Sequence, residues 1–513
     1  MKVLIVTQGN NLKVATKILQ AMQFLTEKLE VGAFICDSRV FASWSPPEFI
    51  NQKFIVKEWD LYKDINLKKI DEKLLNEYEL EIGDPTLWNA VIADRRVFMG
   101  KHCKYTQDYS SKFSNTEKKI ILQEHLKSID KLIIEFQPDL VLGFGSSTIS
   151  DYLAYRFAKA RSISYLLLKA TKIENYISLN DDMIQPSTHL VDRFNTPETI
   201  SEESRKVAES YKQKVNESGL IYEGVLSDSS GQSAYVSNLY FIIRAFVQKM
   251  KILITNQEYD PQAIDSFALN VYQRIINPLR WNKTLKTFND KLVDIENSDG
   301  KFIFYPMHYE PEVSLQVFGR AFQNQIELVR YISQSLPIGY SLIFKEHPRS
   351  KGMRPVSYYK SLFELPNVKM APINMPTNFI VQKSELVIGV SGSTCLEAAI
   401  LGKKSLVLGT PAYASFDSMG IELVENYSNL SKVITSVLKN PVCDNSKLMQ
   451  YMSSVVESSV PVNLYTDLLA KPGRVSLNDG VKVDVDKQYS LLADYLLKRA
   501  IELGVDKRLQ LGG

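Results

Sequence analysis

The sequence predicts two doubly wound α/β domains separated by a helical insertion and followed by C-terminal helices. Short, fully apolar runs such as residues 3 to 6 end in small-residue turns and lead into helical stretches, the pattern of parallel strands covered on both faces. That rhythm stops near residue 190, where long charged and aromatic helical stretches take over, and it resumes at Phe302. A chain of 513 residues also has room for several units of roughly 100 to 200 residues, each able to bury its own core.

In chain order, the first strand (residues 3 to 6) runs through Gln8-Gly9-Asn10-Asn11 into a helix predicted over 12 to 29. After Pro138 a second unit follows: the run 139 to 145, the turn Ser146-Ser147-Thr148, a helix over 149 to 160, and a strand over 163 to 168. These make an N-terminal Rossmann-like domain, 1 to 190. Helical stretches 198 to 216, 234 to 251 and 272 to 295 make an interdomain insertion, 191 to 300. Strands at 302 to 305, 341 to 344, 385 to 389 and 405 to 408, with a helix over 316 to 335, make a second Rossmann-like domain, 301 to 435. Residues 436 to 513 carry helices over 448 to 460 and 488 to 503, expected to pack back toward the first domain.

Composition excludes several function classes. Sixty-one Lys+Arg against 58 Asp+Glu leave a net charge of +3, without the strongly basic footprint of a nucleic-acid binder. Cys36, Cys103, Cys395 and Cys443 lie far apart and read as reduced thiols of a cytoplasmic protein. The histidines, His102, His125, His189, His308 and His347, are scattered, so no metal site is expected. No Gly-x-Gly-x-x-Gly follows a strand, which argues against a dinucleotide cofactor, and Gly145-Ser146-Ser147 lacks the following glycine of a hydrolase nucleophile elbow. The N-terminus lacks the apolar run of a signal peptide, and the most apolar windows are broken by Asp151 and Glu397. The expectation is a soluble chain, at most peripheral to the inner membrane through basic stretches such as Lys249, Lys251 and residues 280 to 286.

Three segments beyond strand ends carry chemistry. In Ser391-Gly392-Ser393-Thr394, hydroxyls and backbone N–H groups at a helix start suit a phosphate, and Thr394 and Glu397 have capping-box spacing; an ordinary strand-to-helix turn fits equally. In Lys345-Glu346-His347-Pro348-Arg349, Pro348 gives the imidazole a defined direction, and Lys345, His347, Arg349, Lys351 and Arg354 form a local cationic group; a solvated basic loop is the alternative. In His308-Tyr309-Glu310-Pro311-Glu312, two carboxylates flank a proline that keeps both from facing one way. One of them facing a cleft would serve as base or nucleophile, whereas the plainer reading is a surface loop with Glu312 at a helix N-terminus.

The order of these segments, ending in S-G-S-T-C-L-E-A-A-I-L-G-K, resembles the bacterial capsule and lipopolysaccharide glycosyltransferases of GT-B fold, especially the Kdo transferases, over roughly residues 300 to 412. The His-Pro pair and the Ser-rich turn are also similar to the pattern in bacterial sialyltransferases, which use CMP-activated acidic sugars. The resemblance implies that His347, with Pro348, Lys345 and Arg349 beside it, and Ser391, Gly392, Ser393 and Thr394 bind the CMP phosphate, and that Glu397 holds the ribose. It implies a retaining mechanism in which Glu312 occupies the place of the nucleophilic Asp, with Glu310 and His308 as neighbours. Glu stands here for Asp, and His308 for Gln. CMP-sugar then enters as donor substrate, with no metal or other cofactor, and a surface polysaccharide or glycolipid as acceptor. On the acceptor side, Gly9, Asn10 and Ser146 lie at strand ends of the first domain, where plain helix-opening turns are an equal reading. A UDP-sugar transferase, a sugar-nucleotide 2-epimerase type of isomerase, and a non-catalytic sugar-nucleotide or glycan binding subunit are the competing functions.

Overall fold

The structure, a computed structural model, describes every residue except 27, 84, 100–110, 225–234, 256–259, 263–265, 298–299, 441–442, 472, 476, 478–483 and 506–513. His102 and Cys103 lie outside the described residues. The N-terminal sheet contains β1 (Lys2–Thr7), β2 (Glu30–Ile35), β3 (Ile50–Lys57), β4 (Leu140–Gly143), β5 (Ser164–Ala170) and β6 (Tyr176–Asn180). The second sheet contains β7 (Phe302–Pro306), β8 (Ser341–Lys345), β9 (Val368–Met370), β10 (Leu386–Gly389), β11 (Ser405–Val407) and β12 (Ile421–Leu423); the late β13 (Val460–Pro461) returns to the edge of the first.

Strand order is β13-β6-β5-β4-β1-β2-β3 in the first sheet and β12-β11-β10-β7-β8-β9 in the second. Both are therefore Rossmann-like, with the order reversing between β1 and β4 and again between β7 and β10. β6 pairs antiparallel with β5 on one side and with the edge strand β13 on the other; every pairing of the second sheet is parallel. Core strands carry unbroken apolar runs because helices cover both faces: Val3 and Ile5 face one cluster with Leu142 and Leu166, while Leu4 and Val6 face another with Phe34 and Val141.

The helix over 12 to 29 is shorter than its periodicity predicts, ending at Gln23. The helix predicted over 316 to 335 is two: Val313–Gln316 and Gln325–Ser335. Gly319 lies between them, and a Cβ there would fall 2.3 Å from Val390 Cγ1, so this backbone is pressed against the residue after β10. The C-terminal helix Val485–Glu502 buries Leu492 and Leu496 in the cluster of Ile18 and Leu142, so the end of the described chain packs on the first domain.

The insertion divides between neighbours. Helix Glu202–Ser218 buries Ala208, Tyr211 and Val215 with Leu448 and Met452 of helix Asn445–Glu457 on the second domain. Helices Tyr235–Thr255 and Asn277–Thr287 follow. Asp260 accepts from the Ser38 N–H at 3.0 Å just beyond β2, Gln262 donates to Glu58 at 2.8 Å just beyond β3, and Arg280 donates to the Gly352 carbonyl at 2.9 Å beyond β8. The insertion is thus anchored to the strand-carboxyl edges of both sheets.

Candidate functional site

A cleft of about 600 Å³ lies where the carboxyl edges of the two sheets meet. That is the expected position for a ligand site, since loops diverge at the point where strand order reverses. From the second domain come Pro306 to His308 and Glu312 beyond β7, His347 and Arg349 beyond β8, and Ser391 to Thr394 beyond β10. From the first come Phe144 to Ser146 beyond β4 and Lys169 to Lys172 around the end of β5. Tyr222 and Arg474, distant in sequence, complete the wall.

The loop beyond β7 is held from behind. Gln325 accepts from the His308 N–H at 2.8 Å and donates to its carbonyl at 3.1 Å, gripping the backbone of one residue at both ends. Arg354, fully buried, donates to the same carbonyl at 2.8 Å and pairs with Glu310 at 3.2 Å and with Glu346. Glu346 in turn accepts from the His347 N–H at 2.7 Å and the Tyr359 hydroxyl at 2.6 Å. One buried ionic group therefore fixes the backbones of both cleft histidines.

This separates the two carboxylates beside Pro311. Glu310 is 3% exposed, engaged by Arg354 and Gln325, and does not line the cleft. Its candidacy as a catalytic group is corrected by that placement: it is the counter-ion of a buried arginine. Glu312 lines the cleft, and its Oε2 accepts from the Ser314 hydroxyl at 2.8 Å. It faces Lys172, whose ammonium is held below the usual lysine range by burial while the Glu312 charge acts the other way.

His308 lines the cleft as a neutral group. Burial, with the nearby His347, Lys172 and Arg354, pushes its pKa down to about 3. Its Nε2 accepts from the Val390 N–H at 3.4 Å, which leaves the proton on Nδ1. Burial and Arg349 push His347 down to about 4. Its Nδ1 accepts from the Arg349 N–H at 3.2 Å, so the neutral ring presents an Nε2–H donor.

The cationic group expected around the His-Pro turn is divided by the fold. Lys345 Nζ is engaged by the Met375 carbonyl at 2.6 Å and the Thr377 hydroxyl at 3.0 Å, and does not line the cleft; neither do Pro348, Lys351 and Arg354. Arg349 does, with its guanidinium 4.6 Å from the Tyr309 ring centre. The remaining cleft cations come from elsewhere. Lys169, 4.9 Å above the Phe318 ring, has its pKa pushed down to about 8 by burial and by Lys172. Arg474 stacks 5.7 Å from Tyr465.

At the Ser-rich turn, Ser391, Gly392, Ser393 and Thr394 all line the cleft. The Ser391 hydroxyl donates to the Ser314 carbonyl at 2.6 Å, tying the β10 turn to the Glu312 segment. The predicted capping box is absent: Ser393 is the N-cap, and the Glu397 carboxylate accepts instead from the Leu220 N–H at 3.0 Å. Glu397 does not line the cleft, and burial raises its pKa. Ser146 lines the cleft on the first-domain side, whereas Gly9 and Asn10 do not.

His125 is buried in the first domain with its Nε2 3.4 Å from Glu58, the carboxylate that Arg96 also pairs with, and His189 lies 3.4 Å from Glu502. Cys36, Cys395 and Cys443 are free thiols. Among the described residues no cluster of three or more His, Cys, Asp or Glu could hold a metal ion, and no helix is long and apolar enough to cross a membrane.

The residues missed from sequence are Lys169, Lys172, Tyr222 and Arg474. Lys169 and Lys172 stand at the end of an apolar strand run, which was the one signal open to reading. Tyr222 and Arg474 reach the cleft only by tertiary return of the chain.

No family model matches the chain, and no curated protein matches it. Among solved structures it is similar to KpsC, beta Kdo 2,7 transferase, of Thermosulfurimonas dismutans, at 12% identity and TM-score 0.35 over 76% of this chain and 97% of that one. It is similar to KpsC, beta Kdo 2,4 transferase, of the same organism at 11% identity and TM-score 0.36, over 69% and 86%. It is also similar to UDP-GlcNAc 2-epimerase from Neisseria meningitidis bound to UDP-GlcNAc, at 13% identity and TM-score 0.22, over 98% and 100%.

Proposed function

We propose that the protein is a glycosyltransferase moving an acidic 2-keto sugar from a CMP-activated donor to a glycan or glycolipid acceptor. The observation that supports it most is the charge layout of the cleft: among the described residues, one carboxylate, Glu312, lies with Lys169, Lys172, Arg349 and Arg474, with hydroxyls and an Nε2–H donor beside them. A CMP-linked keto acid carries two separate anions, a phosphate and a sugar carboxylate, and needs cations on both walls. A neutral sugar nucleotide has its charge at one end only.

In this reading Arg349, His347 Nε2–H and the hydroxyls of Ser393 and Thr394 hold the phosphate and stabilise the charge that develops on it as the glycosidic bond breaks. Lys169 and Lys172, on the opposite domain, hold the sugar carboxylate. Glu312 either attacks the anomeric carbon, forming a covalent glycosyl-enzyme that the acceptor hydroxyl then resolves, or takes the proton of that hydroxyl. His308 stays neutral and supports the loop.

The test is thermal stabilisation by nucleotide. CMP at 100 times its dissociation constant should stabilise by about 2.7 kcal/mol, with UDP and GDP well below it. A preference for UDP overturns the donor assignment and favours the epimerase or a UDP-sugar transferase; CMP binding without transfer to any acceptor favours a binding subunit.

A pH prediction follows from Lys169. The free-enzyme pKa of about 8 means that the ammonium is present below that pH and lost above it. kcat/KM for an anionic donor should therefore fall along a limb near pH 8, since that ratio reports ionisations of the free enzyme. Lys169→Arg should move the limb upward and Lys169→Gln should remove it. A limb unchanged in both variants excludes Lys169 from binding the donor.

A further inference from the structure

One arm of the cleft runs along the β6 side of the first sheet. Lys169 and Ser178 are paired across β5 and β6, as are Leu167 and Asn180. Alternation therefore places Lys169, Ser178 and Asn180 on one face, while Ile177 and Leu179 point into the core behind. Ser187, at the start of helix Thr188–Asn195, forms a second wall with Leu190. Helix Asn445–Glu457 forms the third: Tyr451 and Val455, with Ser458 at its end, fall on one helix face and line the cleft. The first and third walls meet at Tyr495, whose hydroxyl accepts from the Leu179 N–H at 3.3 Å and donates to the Ser458 carbonyl at 2.6 Å.

Three neutral polar side chains in this arm have no internal task. Asn180, Ser187 and Tyr451 are 7%, 4% and 5% exposed and line the cleft; among the described residues none of these side chains has a hydrogen-bond partner. Proteins seldom bury polar groups in that state, because each forfeits its bonds to water. Their frame is firm. Asp182 accepts from the N–H groups of Ile184 and Gln185 and from the Tyr155 hydroxyl, each at 2.9 Å, and Asp181 accepts from the Thr188 N–H at 2.9 Å. The loop joining Asn180 to Ser187 is thus pinned by carboxylates that do not line the cleft.

Lys169 and Lys172 stand at the mouth of the arm, the second 5.8 Å from the Tyr413 ring centre, and among the described residues no charged side chain lines it beyond them. Leu190, Val455 and Tyr413 supply apolar surface between the polar groups. An amide and hydroxyls on separate walls, with apolar surface between, match a pyranose ring, which has hydroxyls round its rim and C–H groups on its faces. A planar base presents its polar atoms in one plane, and an anionic sugar meets cations only at the mouth.

From this arrangement we infer that the arm is the acceptor subsite and takes an uncharged sugar residue of the acceptor glycan, its hydroxyls bonded to Asn180, Ser187 and Tyr451. Its role toward an acceptor rests on the transferase reading; its binding of a neutral sugar ring does not. Because Lys169 and Lys172 border the arm, an acceptor held there reaches the side of the cleft where Glu312 faces Lys172.

Titration of the full chain with methyl β-glucopyranoside and methyl β-galactopyranoside, and with the corresponding uronides, followed by saturation-transfer NMR, tests the inference. At least one neutral glycoside should bind, more tightly than its uronide, and saturating CMP should leave it bound. Asn180→Leu should weaken that binding by at least about 10-fold, and Tyr451→Phe, which keeps the ring, by about 3- to 10-fold. Unchanged melting temperatures are the folding control. In transfer assays both variants should raise the acceptor KM with kcat and the CMP-induced shift near those of the parent. Binding of neither neutral glycoside, equal or tighter binding of the uronides, or binding unmoved by both variants overturns the inference. Displacement of the glycoside by CMP also overturns it and places the nucleotide in the arm. Failure of CMP to stabilise the chain sinks the donor assignment alone, since the glycoside titration is read without nucleotide.

Discussion

Glu312→Gln should lower glycosyl transfer by roughly 10²- to 10⁴-fold while leaving CMP-induced stabilisation intact. The substitution keeps the shape and the acceptor for the Ser314 hydroxyl at 2.8 Å but removes the negative charge that faces Lys172. An amide can neither attack an anomeric carbon nor take a proton from the acceptor. Glu310→Gln provides the contrast, since that carboxylate is enclosed by Arg354 and Gln325 behind the cleft. Its cost should appear in stability, with transfer per folded molecule close to that of the parent. Turnover and nucleotide binding measured on both variants decide the matter; full activity in Glu312→Gln excludes the carboxylate mechanism.

Arg354→Met should cost about 3–5 kcal/mol of stability, because it strands two buried carboxylates without their cation. Arg354 pairs with Glu310 and Glu346, donates to the His308 carbonyl, and lies 5.1 Å from the Tyr358 ring centre. Burial already raises Glu310 despite the arginine beside it, so removal of the cation favours its protonation. The triple change Arg354→Met/Glu310→Gln/Glu346→Gln should recover part of the loss, as neutral groups tolerate burial better than unpaired ions. Denaturant unfolding of the two variants tests this. A loss below about 1 kcal/mol in Arg354→Met would show that the group does not hold the loops.

Strands β1, β4, β5, β7, β8, β10 and β11 and their turns were legible because their signal is local, whereas β2, β3, β6, β9, β12 and β13 were not read. A fully apolar run followed by Gly or Pro can be read within one stretch of chain, and the turns after β7, β8 and β10 all reach the cleft. Side-chain direction within those turns was not legible. Glu310 and Glu312 are chemically alike and two residues apart, and only the pull of Arg354 from behind the loop shows which one turns away. Lys345, Arg349, Lys351 and Arg354 looked like one patch, but of these four only Arg349 faces the cleft. Lys345 is drawn to Met375 and Thr377, and Arg354 into the core. Glu397 had capping-box spacing, yet the Leu220 N–H, delivered by the insertion, took its carboxylate.

By itself the sequence determined two α/β units, the helical segment between them, and which of the predicted strands end in small-residue turns, because hydrophobic periodicity and turn chemistry act over a few residues. The tertiary structure decided which charges share the cleft. Lys169 and Lys172 stand across from Glu312, and Arg474 arrives from a segment far along the chain. Such pairings depend on how two sheets face each other, and the desolvation that lowers Lys169 and His347 exists only once the domains enclose them.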